Sequence, residues 1–360
     1  MNAPIYVTRP SLAPLNEYVK YLEGIWESGV MTHNGPLMQK LEKELCSYLN
    51  VKNVVCLANG TAALQLSIRA LNLTGEIITT PFTFIATANI ISWERCRPVF
   101  VDIDPETWNI DPDRIEEKIT AATSAILPVH VFSAPCDVER IQSIAERKGL
   151  SVIYDAAHAM AVQAGGESLL SRGNVSAVSF HATKLFNTAE GGACITNDDD
   201  LAQRLRRLRF FGFDEKKNIV DEGMNAKMTE VSAGLGLANL KYLDAVKTNR
   251  RKKYRHYQDQ LSQCPFLRFQ KFDAEEYNYS YLPVLFESEE ILLRVLDRLM
   301  ADNIHPQRYF HPVLNTLSVF APQDALPVSE RVARTILCLP LYDSLAATDI
   351  ERICRHILGS

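Results

Sequence analysis

The sequence predicts an α/β protein with a large domain built on a mostly parallel, seven-stranded sheet and a smaller C-terminal α+β domain. Short apolar runs alternate with helical patterns from about residue 50 to residue 245. The runs are nearly continuous in apolar residues, which is typical of strands buried on both faces of a sheet. Beyond residue 245 the alternation gives way to a long helix and mixed elements. We therefore expect domains at 1–245 and 246–360.

The predicted strands of the large domain are joined by helices. The run NVVCLA predicts a strand over 53–58, ended by Asn59-Gly60, and a helix over 61–71 follows. Gly165-Gly166 predicts a hairpin turn. The further strands are expected at 76–80, 98–104, 125–131, 150–155, 176–180 and 192–196, with helices beginning near Pro81 and spanning 111–119 and 138–147. Crossovers between parallel strands should be right-handed.

The C-terminal segment predicts a long helix, a strand over 279–285 and further helices. Ile350, Ile353, Cys354 and Ile357 recur at helical spacing, so the last helix should have one apolar face. The basic run over 247–255 predicts a solvated helix face rather than a nucleic-acid site.

Composition narrows the function classes. With 38 basic and 43 acidic residues, the net charge of -5 creates no field that would attract nucleic acid or an anionic membrane. No apolar stretch approaches the roughly 18 to 20 residues that span a bilayer. The eight cysteines form no C-x-x-C pair, which favours buried, reduced thiols over disulfides or a metal site. We expect a cytoplasmic protein with no metal, nucleic-acid or membrane partner.

Polar residues follow several of the predicted strands, and ligands of parallel sheets bind beyond the carboxyl ends of the strands. Asn59-Gly60-Thr61 lies between a strand and a helix, where an anion site can form, although these residues alone favour an ordinary βα turn. Asp155 ends the strand LSVIYD, so its carboxylate should meet a cation, aided by His158, or else cap a helix.

Two further candidates lie at the same edge. Lys184, in SFHATK, follows a strand, and an ammonium group there indicates either an ion pair or a Schiff-base lysine. Phe82 and Phe84 are expected to begin a helix, where they belong to the core or stack on a flat cofactor. An anion site, a carboxylate, a lysine and an aromatic ring are together what pyridoxal 5′-phosphate requires.

The order of motifs resembles the DegT-type sugar-nucleotide aminotransferases from about Tyr6 to Ile357. The shared motifs are ANGTAAL (58–64), TTPFTFIAT (79–87), PVFVDID (98–104), ILPVHVF (126–132), DAAHA (155–159), SFHATK (179–184), EGGACITND (190–198) and GMNAKMTE (223–230). The resemblance implies a fold-type I pyridoxal-phosphate enzyme that works as a homodimer, with its active site at the subunit interface. It also implies that pyridoxamine 5′-phosphate forms as an intermediate.

The resemblance assigns roles to individual residues. Lys184 would hold the cofactor as a Schiff base and move protons, and Asp155 would pair with the pyridinium nitrogen. Gly60, Thr61 and Ser179 would bind the phosphate, Phe84 would lie on the ring face, and His158 would sit near the 3-hydroxyl. Where many relatives have an asparagine that reaches the partner subunit's phosphate, this chain has Lys227, which can supply a charge to the same group.

The resemblance is strongest to members that aminate C4 of dTDP-4-keto-6-deoxyglucose, giving dTDP-4-amino-4,6-dideoxyglucose for O-antigen and related glycans, with L-glutamate as donor. Amination at C3 of a dTDP-3-keto-6-deoxyhexose, or of a UDP-linked keto sugar, remains an alternative. A sugar dehydratase or a regulatory protein of the same fold is a further one, which the presence of Lys184 and Asp155 disfavours. His33, Tyr309 and His311 are either nucleotide-sugar contacts or ordinary surface loop residues.

Overall fold

The computed structural model describes residues 3–320 and 324–359. The strands of these ranges are β1 (Ile5–Tyr6), β2 (Asn53–Leu57), β3 (Glu76–Thr79), β4 (Arg97–Phe100), β5 (Thr123–Ile126), β6 (Ser151–Asp155), β7 (Gln163–Ala164), β8 (Glu167–Ser168), β9 (Val175–Ser179), β10 (Gly192–Thr196), β11 (Leu267–Phe269), β12 (Leu282–Phe286), β13 (Ile304–His305) and β14 (Ile336–Leu339). The helices are α1 (Leu15–Ser28), α2 (Pro36–Leu49), α3 (Gly60–Ala70), α4 (Ala86–Trp93), α5 (Val138–Lys148), α6 (Asp199–Leu208), α7 (Glu230–Leu240), α8 (Leu243–Leu261), α9 (Glu289–Ala301), α10 (Pro327–Thr335) and α11 (Ala347–Leu358).

The large sheet has seven strands in the order β2-β10-β9-β6-β5-β3-β4. Strand β10 is antiparallel to both of its neighbours, and the pairs from β9 to β4 are parallel. Helices cover both faces: Val54 and Cys56 of β2 belong to one buried cluster, whereas Val55 and Leu57 belong to another. Burial on both faces is why these strands are apolar throughout. The α/β class and the mostly parallel, seven-stranded sheet are confirmed.

A second, antiparallel sheet, β11-β12-β14, lies in the C-terminal part of the chain. Its core includes the four residues of α11 that the sequence predicts to share one face, and all four are buried. Helix α8 begins at Leu243 and therefore crosses the predicted domain boundary. The basic run on α8 is not simply a solvated face, because Arg250 is fully buried and donates a hydrogen bond to the carbonyl of Ser280.

One predicted helix of the large domain is wrong, and the start of a second is wrong. Residues 111–119 form two short 3-10 turns, because the Asp111 backbone N–H bonds to the carbonyl of Asp102 and its side chain accepts from Asp113. The helix expected near Pro81 begins only at Ala86. The Pro81 carbonyl accepts a hydrogen bond from the distant Leu314 N–H, so Phe82 and Phe84 lie in a loop before α4.

The remaining large-domain strands begin within two residues of their predicted starts, although those expected over 98–104 and 125–131 end early, at Phe100 and Ile126. The predicted hairpin is present between β7 and β8, with Gly165 at φ 63° and Gly166 at φ 79°, as a primed turn requires. All eight cysteines are unpaired. Within the described ranges no cluster of three or more metal-ligating side chains is found, and no helix is long and apolar enough to span a membrane.

Candidate active site

The carboxyl ends of the parallel strands open onto a cavity of about 560 Å³, called here the lysine cavity. It lies where polar residues end the strands, as in other open α/β sheets. The structure brings most of the predicted site residues together in its lining: Gly60, Thr61, Phe84, Asp155, His158, Ser179, Lys184 and Tyr309.

Lys184 follows β9 in a tight turn closed by a hydrogen bond from its own backbone N–H to the carbonyl of His181. Its Nζ atom donates to the Tyr281 hydroxyl at 3.1 Å. Desolvation by the surrounding protein lowers the pKa of Lys184 to about 8, although the nearby Asp155 carboxylate opposes this shift. A neutral amine is therefore accessible near physiological pH, which a nucleophilic or proton-carrying lysine needs.

Asp155 ends β6, is buried and lines the lysine cavity. Its two oxygens accept from the Thr87 hydroxyl at 2.7 Å and from the Ala157 N–H at 3.1 Å. Burial raises the pKa of Asp155, and Thr87, Ala157 and Lys184 act against that rise. Ala157 lies in a turn, so the carboxylate does not cap a helix. A buried carboxylate held in this way is suited to a cationic partner in the cavity.

The first turn of α3 forms an anion cradle together with the end of β9. Asn59 caps the helix by accepting from the Ala62 N–H at 2.8 Å, which leaves the N–H groups of Gly60 and Thr61 without an acceptor inside the helix. A glycine is needed at position 60 because the start of α3 lies very close to the end of β9. A Cβ atom at Gly60 would lie 2.8 Å from the Cβ of Ser179. The helix dipole, the free N–H groups and the hydroxyls of Thr61 and Ser179 together suit a phosphate group.

His158 and Phe84 line the lysine cavity together with Lys184 and the cradle. The carbonyl of His158 accepts from the Ser133 hydroxyl at 2.6 Å and from the Asn278 amide at 2.7 Å, which fixes the residue. Its Nδ1 atom is buried and has no hydrogen-bond partner among the described residues. Burial lowers the pKa of His158 well below its ordinary value, so the ring is neutral. Phe84 is 60% exposed, and its ring is free to cover a flat ligand.

Three of the predicted residues lie elsewhere. His33 and Lys227 line a second cavity of about 600 Å³, together with Arg207 and Arg209. There the Lys227 Nζ atom lies 4.6 Å from the ring centroid of Phe210 and donates to Asn225. His311 is exposed and lines neither cavity. One chain therefore does not bring these three side chains to Lys184.

Sequence reasoning missed Tyr281, which lines the lysine cavity and contacts Lys184. It reaches Lys184 from the segment before β12, 97 positions further along the chain. The signal in the sequence is the aromatic alternation of EYNYSYLPV, which precedes a buried strand. Tyr309 and Phe310 complete this wall of the cavity, and burial raises the pKa of Tyr309 to about 12.

The lining fits pyridoxal phosphate. The cradle at Gly60 suits its phosphate, Asp155 suits a protonated pyridine nitrogen, and Lys184 suits its aldehyde. The orphaned, neutral Nδ1 of His158 can meet a polar ring substituent. A profile of the DegT/DnrJ/EryC1/StrS aminotransferase family matches residues 15–358. The chain belongs to this family. It is an aminotransferase, and pyridoxal phosphate is the cofactor of the family.

Individual relatives agree with this assignment. The chain is 41% identical to the dTDP-4-amino-4,6-dideoxy-D-glucose transaminase of Shigella dysenteriae, over 99% of each chain. Its fold is similar to that of DesI, solved in the presence of its TDP-sugar product, with a TM-score of 0.95, 34% identity and coverage of 100% of this chain and 93% of DesI. NtdA from Bacillus subtilis, solved with bound cofactor PMP, matches with a TM-score of 0.88 and 26% identity, covering 96% of this chain and 82% of NtdA.

Proposed function

We propose that this aminotransferase moves the amino group of L-glutamate to C4 of dTDP-4-keto-6-deoxy-D-glucose, giving dTDP-4-amino-4,6-dideoxy-D-glucose. The observation that carries an amino transfer is the placement of Lys184 and Asp155 in one cavity, beside the Gly60 cradle. The choice of sugar rests on the sequence identity of 41% to the dTDP-4-amino-4,6-dideoxy-D-glucose transaminase of Shigella dysenteriae, over 99% of both chains. The donor is the one that the resemblance implies.

We propose that Gly60, Thr61 and Ser179 hold the cofactor phosphate, Phe84 covers the ring and His158 lies beside it. When bound, pyridoxal phosphate supplies an aldehyde that carries the amino group and a ring that accepts electrons from the substrate carbon. The Asp155 carboxylate would keep a positive charge on the ring nitrogen of the bound cofactor. Its anionic form is favoured by the Thr87 hydroxyl and the Ala157 N–H.

Lys184 carries the proton in both half-reactions. With the cofactor bound, its amine would take the proton from the donor α-carbon and hold it within the site. With the keto sugar, the same amine would supply a proton to the sugar carbon that receives the nitrogen. The pKa of about 8 lets the amine accept and release a proton near neutral pH. Both substrates use one lysine in turn, so ping-pong kinetics follow.

We also propose a homodimer in which Lys227 completes the partner's phosphate site. Lys227 does not reach the lysine cavity of its own chain, but lies with His33 in the second, cation-lined cavity. Leu15 and Trp26 are each 73% exposed and lie eleven residues apart on α1, which places them on the same helix face. Such an exposed apolar face is suited to a subunit contact.

Complementation tests the dimer directly. Lys184→Ala and Lys227→Ala variants should each be nearly inactive, but subunits exchanged between them form heterodimers in which one site has both lysines. Activity of the exchanged mixture well above either variant supports the shared site. A mixture with no more activity than its components, despite confirmed heterodimers, contradicts it.

We propose that the reaction takes place in the cytoplasm, because the eight unpaired cysteines fit a reducing compartment, and that its product is used for O-antigen or related glycans. The test of the substrate is product analysis. The enzyme is incubated with L-glutamate and each of three sugars: dTDP-4-keto-6-deoxyglucose, a dTDP-3-keto-6-deoxyhexose and a UDP-linked 4-keto sugar. We expect the first to turn over fastest, with nitrogen at C4 by NMR. Preference for either of the others replaces the proposed sugar.

A further inference from the structure

The Tyr281 hydroxyl is the hydrogen-bond acceptor of the Lys184 amine, at 3.1 Å from Nζ. The amine also lies 5.6 Å from the centroid of the Tyr281 ring. Burial raises the pKa of Tyr281, so the hydroxyl remains protonated and neutral. A neutral oxygen of this kind can accept from the amine in either of its protonation states.

The backbone that bears Tyr281 is fastened to the walls of the site. The Tyr277 hydroxyl lies 2.6 Å from the carbonyl of Phe132 and 3.3 Å from that of Tyr281. The Asn278 amide donates to the carbonyls of His158 at 2.7 Å and Met160 at 2.8 Å. These contacts join the segment before β12 to the turns that follow β5 and β6, so the hydroxyl has a fixed position relative to the large sheet.

The Tyr281 ring is held as firmly as its backbone. Its centroid lies 4.5 Å from that of His158, 5.7 Å from that of Phe132 and 6.2 Å from that of Tyr309. Only 8% of the residue is exposed. The phenol therefore cannot swing away from the amine without repacking three neighbouring rings.

A lysine that carries protons must return to the same point in every cycle, yet its four-carbon side chain has many rotamers. A rigid hydrogen-bond acceptor for the amine restricts those rotamers. Such restriction matters, because a displacement of about 1 Å at a reacting group can reduce a rate about a hundredfold. We propose that Tyr281 is the positioning residue of the reaction, holding the Lys184 amine where it exchanges protons with the substrate. This proposal rests on the proposed function of Lys184.

The titratable groups that share the lysine cavity are Asp155, His158, His181, Glu190, Tyr281 and Tyr309. Among these, Tyr281 is the hydrogen-bond partner of the amine, whereas Asp155 acts on it through its charge. The Tyr281→Phe substitution removes the hydroxyl and keeps the ring contacts. Tyr254→Phe is the matched control, because the Tyr254 hydroxyl is also buried but lies in the C-terminal core, with no hydrogen-bond partner among the residues that the structure describes.

The first readout needs neither donor nor sugar. Apoenzyme is mixed with pyridoxal phosphate between pH 6 and pH 10, and the rate at which the visible band forms is recorded. Only the neutral amine attacks an aldehyde, so the rate should rise with pH and reach a plateau above the Lys184 pKa. The inflection of this pH profile should lie near that pKa, which is about 8. Loss of an acceptor disfavours the ammonium form, so Tyr281→Phe should move this inflection to lower pH by about one unit. Tyr254→Phe should match wild type.

The second readout is single turnover of the cofactor-loaded enzyme with L-glutamate and with its α-deuterated form. Tyr281→Phe should react about ten to a hundred times more slowly, with a larger isotope effect, because proton transfer by a misplaced lysine becomes limiting. A capture profile that coincides with wild type, or a single-turnover rate within about twofold, overturns the proposal. If wild type itself ignores glutamate, the proposed donor is wrong, and the capture profile still decides the role of Tyr281.

Discussion

Replacing Gly60 with alanine tests the cofactor cradle most sharply. The added Cβ would lie 2.8 Å from the Cβ of Ser179 and 3.2 Å from its Cα. Contacts between carbon atoms are favourable at about 3.5 to 4.0 Å, so α3 and β9 must separate by roughly 0.7 Å. Neither contacted atom can rotate away, because both belong to or adjoin the backbone of a buried strand. The cradle must therefore open.

The expected loss can be worked from the phosphate contacts. A hydrogen bond to a charged group contributes about 1.5 to 3 kcal/mol, and opening the cradle weakens at least one of them. The dissociation constant of pyridoxal phosphate should therefore rise about tenfold to 150-fold. Equilibrium titration of the apoprotein, followed by the visible band or by quenching of tryptophan fluorescence, measures this change. Overpacking should also lower the free energy of unfolding by about 1 to 3 kcal/mol.

Gly24→Ala is the matched control. Gly24 lies within α1, and an added Cβ there would meet no atom within 4 Å. Because glycine is a poor helix former, this substitution should stabilise the protein by about 0.5 to 1 kcal/mol and leave cofactor affinity unchanged. If folded Gly60→Ala protein bound pyridoxal phosphate as tightly as wild type, the phosphate would not lie against Gly60 and the reasoning would be refuted.

Two further substitutions test other parts of the account. Asp155→Asn keeps a side chain that can bond to Thr87 but removes the negative charge. The half-reaction with glutamate should therefore slow by a factor of about 10² to 10⁴, measured by stopped-flow absorbance. A wild-type rate contradicts the role assigned to Asp155. Glu230→Gln removes one of two acceptors for the Leu37 and Met38 N–H groups, both at 2.8 Å, at the start of α2. Because Glu230 is buried, this substitution should lower the free energy of unfolding of the apoprotein by about 1 to 3 kcal/mol, measured by urea denaturation. An unchanged urea midpoint argues against a role of Glu230 in capping α2.

Local pattern predicts the large sheet well, since buried parallel strands leave uninterrupted apolar runs that end at polar residues. It fails where distant contacts decide the structure. Pro81 looks like the start of a helix, yet its carbonyl bonds to Leu314, and the helix starts later. Residues 111–119 have a helical composition, but the hydrogen bond from Asp111 to Asp102 holds the chain in a tighter turn.

The site shows the same division. Asp155, Ser179 and Lys184 are near strand ends and could be placed from the sequence, because the carboxyl ends of parallel strands meet at one edge. Tyr281 comes from a segment beyond the large sheet, and no local pattern shows that it bonds to Lys184. The sequence also could not show that His33 and Lys227 share a cavity separate from that lysine.

The central claim is that Lys184 and its cavity accept an amino group from a donor and deliver it to a keto sugar. Its most direct test is the visible spectrum of the enzyme loaded with pyridoxal phosphate, recorded before L-glutamate, after it, and after removal of glutamate and addition of dTDP-4-keto-6-deoxyglucose. We predict a band near the visible edge that bleaches with glutamate and returns with the sugar, and no such cycle in Lys184→Ala. A band that ignores both substrates, or the same cycle in Lys184→Ala, would contradict the account.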